Sequence, residues 1–134
     1  MSDRFADTNV LLYLTSGDQR KAQTAERLLD AGLILSVQVL NEFAHVARRK
    51  FGLDWAQVNH LLGVVASVST IVPLTLEIHR RGLALAEAHH FATYDAMIVA
   101  AALEAGCTTL YSEDMHDGQR IAGRLQIVNP FQAP

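Results

Sequence analysis

Close to its start the chain carries the stretch Phe5-Ala6-Asp7-Thr8-Asn9-Val10-Leu11-Leu12-Tyr13-Leu14. A short apolar strand is predicted to end here and an apolar helical segment to begin, with the carboxylate of Asp7 between them. A packed α/β domain has no structural need for a charge at this point, although Asp is also favoured as a cap where a helix begins. The stretch therefore allows two interpretations of Asp7, a helix cap or the first ligand of a divalent-metal site.

The rest of the chain alternates short apolar strands with helices. Strands are predicted at residues 4–7, 33–36, 70–74, 108–112 and 125–128, and helices that begin near residues 10, 19, 37, 54, 75 and 94. Thr93 is predicted to cap the last helix, whose residues 96–103 are apolar on all sides, as in a helix that is fully buried. This alternation predicts an α/β fold with a mainly parallel sheet covered by helices on both faces.

Length and composition narrow the possible classes of protein. The 134 residues, of which 50% are hydrophobic and 19% charged, predict one globular domain over residues 1–134. The longest apolar run, residues 96–103, is far shorter than the roughly 20 residues of a membrane span. With no charged-then-apolar leader and a single cysteine, Cys107, we expect a cytoplasmic protein without membrane association.

The formal net charge of −3 argues against a protein that holds nucleic acid through bulk positive charge. A nucleic-acid substrate would need a metal ion or local basic clusters. The candidate clusters are Arg48-Arg49-Lys50, Arg80-Arg81, and Arg120 with Arg124. Each of them is also explained as the solvated face of a helix.

Four carboxylates fall where the predicted sheet would bind a ligand, because open α/β sheets bind ligands at the carboxyl ends of their strands. Asp7 ends the first strand, Asp114 follows the fourth, Glu42 lies early in the helix after the second, and Asp95 is in the first turn of the last helix. Asp95 could simply complement the helix dipole, Glu42 could face solvent, and Asp114 could be a surface residue. Asp117 is a reserve candidate beside Asp114.

Taken together, these carboxylates predict a cation. Four such groups at one sheet edge would repel one another by several kcal/mol per close pair, so they persist only when protonated or paired with cations. Oxygen ligands indicate Mg²⁺ or Mn²⁺, which can activate a water and neutralise charge on a phosphodiester. The six histidines show no zinc-type spacing, and no Ser-His-Asp order or Gly-rich phosphate loop stands out.

With these residues assembled, the sequence resembles the PIN-domain ribonucleases, most closely the VapC toxins of bacterial type II toxin–antitoxin pairs. The matching segments follow the family's order along nearly the whole chain: residues 6–13, 39–43, 93–102, 110–115 and 127–131. The resemblance implies a three-layer α/β sandwich and an acidic tetrad of Asp7, Glu42, Asp95 and Asp114 that holds Mg²⁺ or Mn²⁺. Polar neighbours that could orient the ligands or a water are Thr8, Asn9, Thr93 and Ser112.

The same resemblance implies an activity and partners. The activity is hydrolysis of RNA phosphodiester bonds by metal-activated water. The partners are an RNA substrate, a second copy of the chain in a homodimer, and a small VapB-like antitoxin that wraps the toxin and fills its groove. Operator DNA would be contacted only through the antitoxin.

Two other classes of function compete with this interpretation. A PIN-like binding module could act mainly in a complex with protein or operator DNA, but clustered carboxylates bring nothing to a pure scaffold. Phosphoryl-transfer domains of the haloacid-dehalogenase or response-regulator type also place an Asp at the end of the first strand. They require a second aspartate close by, which Asp7-Thr8-Asn9 lacks.

Overall fold

A six-stranded sheet forms the centre of the molecule in the computed structural model, which describes residues 3–132. Its strands lie in the order β3-β2-β1-β4-β6-β5, and all neighbours are parallel except β5 and β6. The strands are β1 (Arg4–Ala6), β2 (Ile34–Ser36), β3 (Thr70–Val72), β4 (Thr109–Tyr111), β5 (Arg120–Ile121) and β6 (Leu125–Val128).

Helices cover both faces of this sheet. They are α1 (Thr8–Leu12), followed by a short 3₁₀ turn (Tyr13–Thr15), α2 (Gln19–Asp30), α3 (Val37–Arg49), α4 (Trp55–Val68), α5 (Leu76–His89) and α6 (Thr93–Glu104). Every residue of β2 is buried, although neighbouring residues of a strand point to opposite faces. The predicted three-layer α/β sandwich with a mainly parallel sheet is confirmed. None of the helices within residues 3–132 is both long and apolar enough to cross a membrane.

The order of the strands reverses beside β1. The chain proceeds from β1 to β2 and β3 on one side, whereas β4 and β6 lie on the other. The loops that leave β1 and β4 therefore diverge and open a crevice at their carboxyl ends, the usual ligand site of an open α/β sheet. Asp7 directly follows β1, and Ser112 directly follows β4.

Helix α6 is buried along most of its length, as its sequence predicted. Residues 96–103 are all inaccessible to solvent or nearly so. Helix α5 packs closely on it where Gly82 faces Met97, since a Cβ at Gly82 would lie 2.6 Å from the Met97 sulfur. This contact lies at the fifth residue of α6, two residues after Asp95.

Some predicted boundaries were wrong. The first strand ends at Ala6 and α1 begins at Thr8, because Asp7 is the N-cap of that helix. Thr93 is not a cap: α6 begins at Thr93 itself, and its N-cap Ala92 offers no side-chain hydrogen bond.

The antiparallel strand β5 was not predicted. It is only two residues long and returns to β6 through a tight turn in which Ala122 and Gly123 both have positive φ. The usual sequence signal for such a turn is Asn-Gly or Asp-Gly, which is absent here.

Candidate active site

Asp7 lies at the bottom of the crevice between β1 and β4. Its Oδ1 accepts a hydrogen bond from the Thr8 amide at 2.7 Å, as expected of a helix cap. Its Oδ2 accepts from Ser112 Oγ at 2.8 Å and from Asn9 Nδ2 at 3.0 Å. The side chain is buried yet lines an open cleft. Asp7 therefore caps the helix and also lines the cleft, so its role as a cap does not exclude the other interpretation, that of a metal ligand.

Glu42 approaches the same place from α3. It lies in the second turn of that helix, which leaves the carboxyl end of β2 and packs against α1. Its Oε2 accepts a hydrogen bond from Thr8 Oγ1 at 3.0 Å. Thr8 thus contacts two of the candidate carboxylates, since its amide bonds Asp7 and its hydroxyl bonds Glu42.

Asp95 and Asp114 complete the acidic surface. Asp95 is the third residue of α6 and is partly buried, whereas Asp114 lies in the loop after β4 and is exposed. Together with Asp7 and Glu42 they line one cleft of about 430 Å³. The other residues that line it are Thr8, Asn9, Leu12, Tyr13, Ser16, Val46, Lys50, Phe51 and Glu113.

The four carboxylates interact electrostatically. The pKa of Asp7 is raised from 3.8 to about 7. Burial is the largest cause and the charges of Asp95 and Glu42 add to it, whereas the hydrogen bonds from Ser112 and Thr8 lower the pKa. Burial and the charge of Asp95 raise the pKa of Glu42, and burial and the charge of Asp114 raise the pKa of Asp95. Each of these shifts shows that the fold, without a cation, disfavours the charged form.

The donor chemistry of this cluster fits a hard divalent cation, because all four side chains offer carboxylate oxygens at one sheet edge. The ligand geometry is not preformed. Within residues 3–132, no group of three or more His, Cys, Asp or Glu side chains is arranged so that it could hold a metal ion. At Asp7, Oδ1 accepts one hydrogen bond and Oδ2 accepts two, so Oδ1 keeps a lone pair for a cation. Their assignment as ligands stays a prediction.

The loop after β4 is tied to the first two helices by contacts that the sequence did not reveal. The Glu113 amide donates to Asn9 Oδ1 at 3.1 Å, and the Glu113 carboxylate accepts from Lys21 Nζ at 2.6 Å and from the Tyr13 hydroxyl. Lys21 Nζ also donates to the Tyr13 hydroxyl at 3.0 Å. No local pattern could have indicated this network, because Lys21 and Glu113 are 92 residues apart.

The predicted polar neighbours divide into two groups. Thr8, Asn9 and Ser112 all contact Asp7, and we call these four residues the floor of the cleft. Thr93 does not line the cleft. Nor does Asp117, whose Oδ1 instead accepts a hydrogen bond from the Asn129 amide at 2.7 Å and so holds the loop that precedes β5.

A family model matches most of the chain. The model of the PIN domain matches residues 4–122, which include all the elements from β1 to β5. The chain belongs to the PIN domain family. No curated protein sequence matches it closely enough to serve as a relative.

Solved structures share the fold of this PIN domain at low sequence identity. A toxin–antitoxin complex from Klebsiella pneumoniae matches with a TM-score of 0.73 and 23% identity over 97% of this chain and 99% of that one. VapC20 of Mycobacterium tuberculosis, a toxin that cleaves the sarcin–ricin loop, matches with a TM-score of 0.69 and 19% identity over 83% and 89%. VapBC2 of Rickettsia felis, bound to a fragment of its promoter DNA, matches with a TM-score of 0.62 and 17% identity over 83% and 87%.

Proposed function

We propose that this PIN domain is a metal-dependent endoribonuclease and the toxin of a toxin–antitoxin pair that acts in the cytoplasm. The observation that carries the proposal is the convergence of Asp7, Glu42, Asp95 and Asp114 on one cleft at the switch point of the sheet. Their pKa shifts add support, because a fold gains nothing from mutually repelling carboxylates unless a cation or a reaction uses them. The solved toxins with the same fold point to RNA as the substrate.

Mg²⁺ or Mn²⁺ held by these four residues would supply a Lewis acid that lowers the pKa of a water and neutralises phosphate charge. The chain's own contribution is to orient the ligands. Ser112 and Asn9 hold the rotamer of Asp7, and Thr8 directs Glu42 towards it. The Lys21–Glu113 pair holds the loop that carries Asp114. In the reaction a water oxygen bonds to phosphorus, one P–O ester bond breaks, and the released oxygen takes up a proton.

The proposal is tested by RNA cleavage with Mg²⁺ or Mn²⁺, comparing wild type with Asp7→Asn and Asp95→Asn. Each variant should lose orders of magnitude in rate, because ligands of one site act as a unit. Asp30→Asn is the matched control, since Asp30 is exposed at the end of α2 and does not line the cleft. Equal activity in all four proteins would refute the proposal.

A second pair of variants decides which residue of the β4 loop belongs to the site. Asp114 lines the cleft, whereas Asp117 does not and accepts a backbone hydrogen bond elsewhere. Asp114→Asn should therefore reduce cleavage strongly and Asp117→Asn weakly. The reverse result would make Asp117 the ligand, as the sequence allowed.

We propose a small antitoxin protein and a second copy of the chain as partners, with operator DNA contacted through the antitoxin. The structural neighbours include a toxin–antitoxin complex and a VapBC pair bound to DNA. Large apolar side chains exposed on α4 and α5 would suit such interfaces: Trp55, Val64, Val68, Leu76 and Leu83. Light scattering of the purified chain measures its oligomeric state. Co-purification with the product of a small neighbouring reading frame tests the antitoxin.

The competing function is a binding module without catalysis. It is favoured by the fact that no group of acidic or histidine side chains in the described residues already has metal-binding geometry. Thermal unfolding separates the two, since a ligand at 100 times its Kd stabilises a fold by about 2.7 kcal/mol. A rise in Tm with millimolar Mn²⁺, absent in Asp7→Asn, supports the nuclease. No rise in the wild type supports the module.

A further inference from the structure

One side of the cleft differs chemically from its acidic floor. Val46, Lys50 and Phe51 line it from the carboxyl end of α3, and we call these three residues the wall. Phe51 is 41% exposed. The wall therefore adds an ammonium group and an exposed aromatic ring to the cleft that the four carboxylates also line.

The backbone keeps the wall in this position. Lys50 is the C-cap of α3 and its amide donates to Val46 O at 2.7 Å. The chain then reverses at Gly52, whose φ is +65°, and the Leu53 amide donates to Ala47 O at 3.2 Å. Because this reversal is closed by hydrogen bonds, Phe51 projects from an ordered turn.

A side chain in the next layer reinforces the turn. Arg48 donates to Leu53 O at 3.2 Å, and its guanidinium lies 4.4 Å from the centre of the Trp55 ring. Arg48 therefore helps to hold the turn and does not line the cleft. The residue of this cluster that brings a positive charge to the cleft is Lys50.

This basic cluster differs from the other two in where it lies. In those two clusters Arg81 is paired with Glu104 at 2.6 Å and Arg124 donates to Leu103 O at 2.6 Å, whereas Arg80 and Arg120 form no ion pair among residues 3–132. Lys50 forms no ion pair with any acid among residues 3–132. Of the three basic clusters, this one contributes a residue, Lys50, to the lining of the acidic cleft.

We propose that the wall binds an unpaired stretch of RNA, with Lys50 against a backbone phosphate and Phe51 stacked on a base. This inference rests on the proposed nuclease function and assigns two residues of this chain to binding its substrate. Phosphates approaching four carboxylates need a nearby positive charge, and Lys50 provides one. A base can stack on a protein ring only when it is not already stacked inside a duplex, so the exposed ring of Phe51 selects single strands over double strands.

The test measures binding by fluorescence anisotropy with a short, unstructured, labelled RNA of mixed sequence and with the same sequence annealed as a duplex. All proteins carry Asp95→Asn, so that the RNA is not cleaved during the titration. Phe51→Leu keeps the apolar volume but removes the ring and should weaken single-strand binding about tenfold, while Phe51→Trp should retain it. Neither change should alter duplex binding.

The charge is tested in the same assay. Lys50→Ala should weaken single-strand binding and reduce the slope of log Kd against log salt by about 0.7, the value for one phosphate contact. Arg80→Ala is the control for charge, because it removes one exposed positive charge that does not line the cleft. It should behave as the parent.

Several results would overturn the inference: no binding of the single strand by the parent, equal binding of the duplex, no effect of Phe51→Leu, or equal effects of Lys50→Ala and Arg80→Ala. A separate cleavage assay with the unmodified chain distinguishes this failure from failure of the nuclease function. Cleavage without any effect of the wall variants refutes the wall alone. Wall effects without metal-dependent cleavage refute the nuclease and leave a single-strand RNA binding surface.

Discussion

The floor and the wall of the cleft lie side by side but are built in opposite ways. In the floor, Asp7 is 4% exposed and both of its oxygens are hydrogen bonded. In the wall, Lys50 and Phe51 are exposed, and Lys50 has no acidic partner within the described chain. The fold therefore carries an unfavourable charge in the floor and gains little from the wall. Substitutions in the floor should therefore affect both stability and activity, whereas those in the wall should affect RNA binding alone.

The largest expected effect is that of Asp7→Asn, which should move activity and stability in opposite directions. Cleavage should fall about a thousandfold or more, because a ligand is lost. The metal-free protein should become more stable at neutral pH, because the Asn amide carries no charge. Burial of the Asp7 charge is unfavourable, which is why the pKa of Asp7 is raised to about 7. Part of this gain is lost, because Asn offers a single acceptor oxygen to the three donors that bond Asp7. We expect a net gain of about 2 kcal/mol in the free energy of urea unfolding.

The pH dependence gives this prediction a sign that can be checked. The pKa of Asp7 is raised from 3.8 to about 7, so the fold favours the neutral acid. Its favourable contribution is complete below pH 3.8 and is lost as the pH rises through about 7. The stability gained by Asp7→Asn should therefore be small in acid and grow across this interval. A gain that is constant with pH would mean that the floor charge is not the cause.

A second floor variant should lower stability instead. Ser112→Ala removes the hydroxyl that donates to Asp7 and leaves the Met115 amide, which donates to Ser112 Oγ at 3.2 Å, without that acceptor. Because these groups are buried, the free energy of unfolding should fall by about 2 kcal/mol. Ser67→Ala, at an exposed hydroxyl on α4, should change it by less than about 0.5 kcal/mol. Equal losses of unfolding free energy in the two variants would show that the hydrogen bonds of Ser112 stabilise the fold no more than those of an exposed serine.

The Lys21–Glu113 ion pair lies beside the proposed ligand Asp114, and a second ion pair of the same length, Arg81–Glu104, serves as its control. Lys21 with Glu113 and Arg81 with Glu104 both measure 2.6 Å and are similarly exposed. Lys21→Met and Arg81→Met should each cost less than about 1 kcal/mol. Only Lys21→Met should weaken Mn²⁺ binding, by about tenfold, because it loosens the loop of Asp114. Calorimetric titration with Mn²⁺ measures the difference, and equal affinities would exclude a positioning role for Lys21.

The smallest effect on stability should come from the wall. Lys50→Ala and Phe51→Leu alter exposed side chains, so the free energy of unfolding should stay within about 0.5 kcal/mol of the wild type. Urea unfolding of the metal-free proteins checks this. If the free energy of unfolding fell by more than about 1 kcal/mol, the wall residues would contribute to the packing of the fold, as the floor residues do.

Local patterns were sufficient for much of the fold. Alternating strands and helices predicted the parallel sheet, and the apolar run of residues 96–103 predicted the burial of α6. The position of Asp7 at a strand end also predicted that it would lie at the carboxyl edge of the sheet, where the cleft opens. These predictions succeeded because burial and helix periodicity depend on neighbours in the sequence. The two-residue β5 was missed because so short a strand has no periodicity.

The sequence by itself predicted the fold class, the family and four carboxylates that prove to line one cleft. Only the tertiary structure showed that Thr8 joins Asp7 to Glu42, that Lys21 holds Glu113, and that Lys50 and Phe51 line the same cleft as the acids. The reason is that strand order, and not local sequence, brings together side chains that are tens of residues apart. Whether Asp7 is a cap or a cleft residue could not be answered from its neighbours, because the carboxylate does both once β4 lies beside β1.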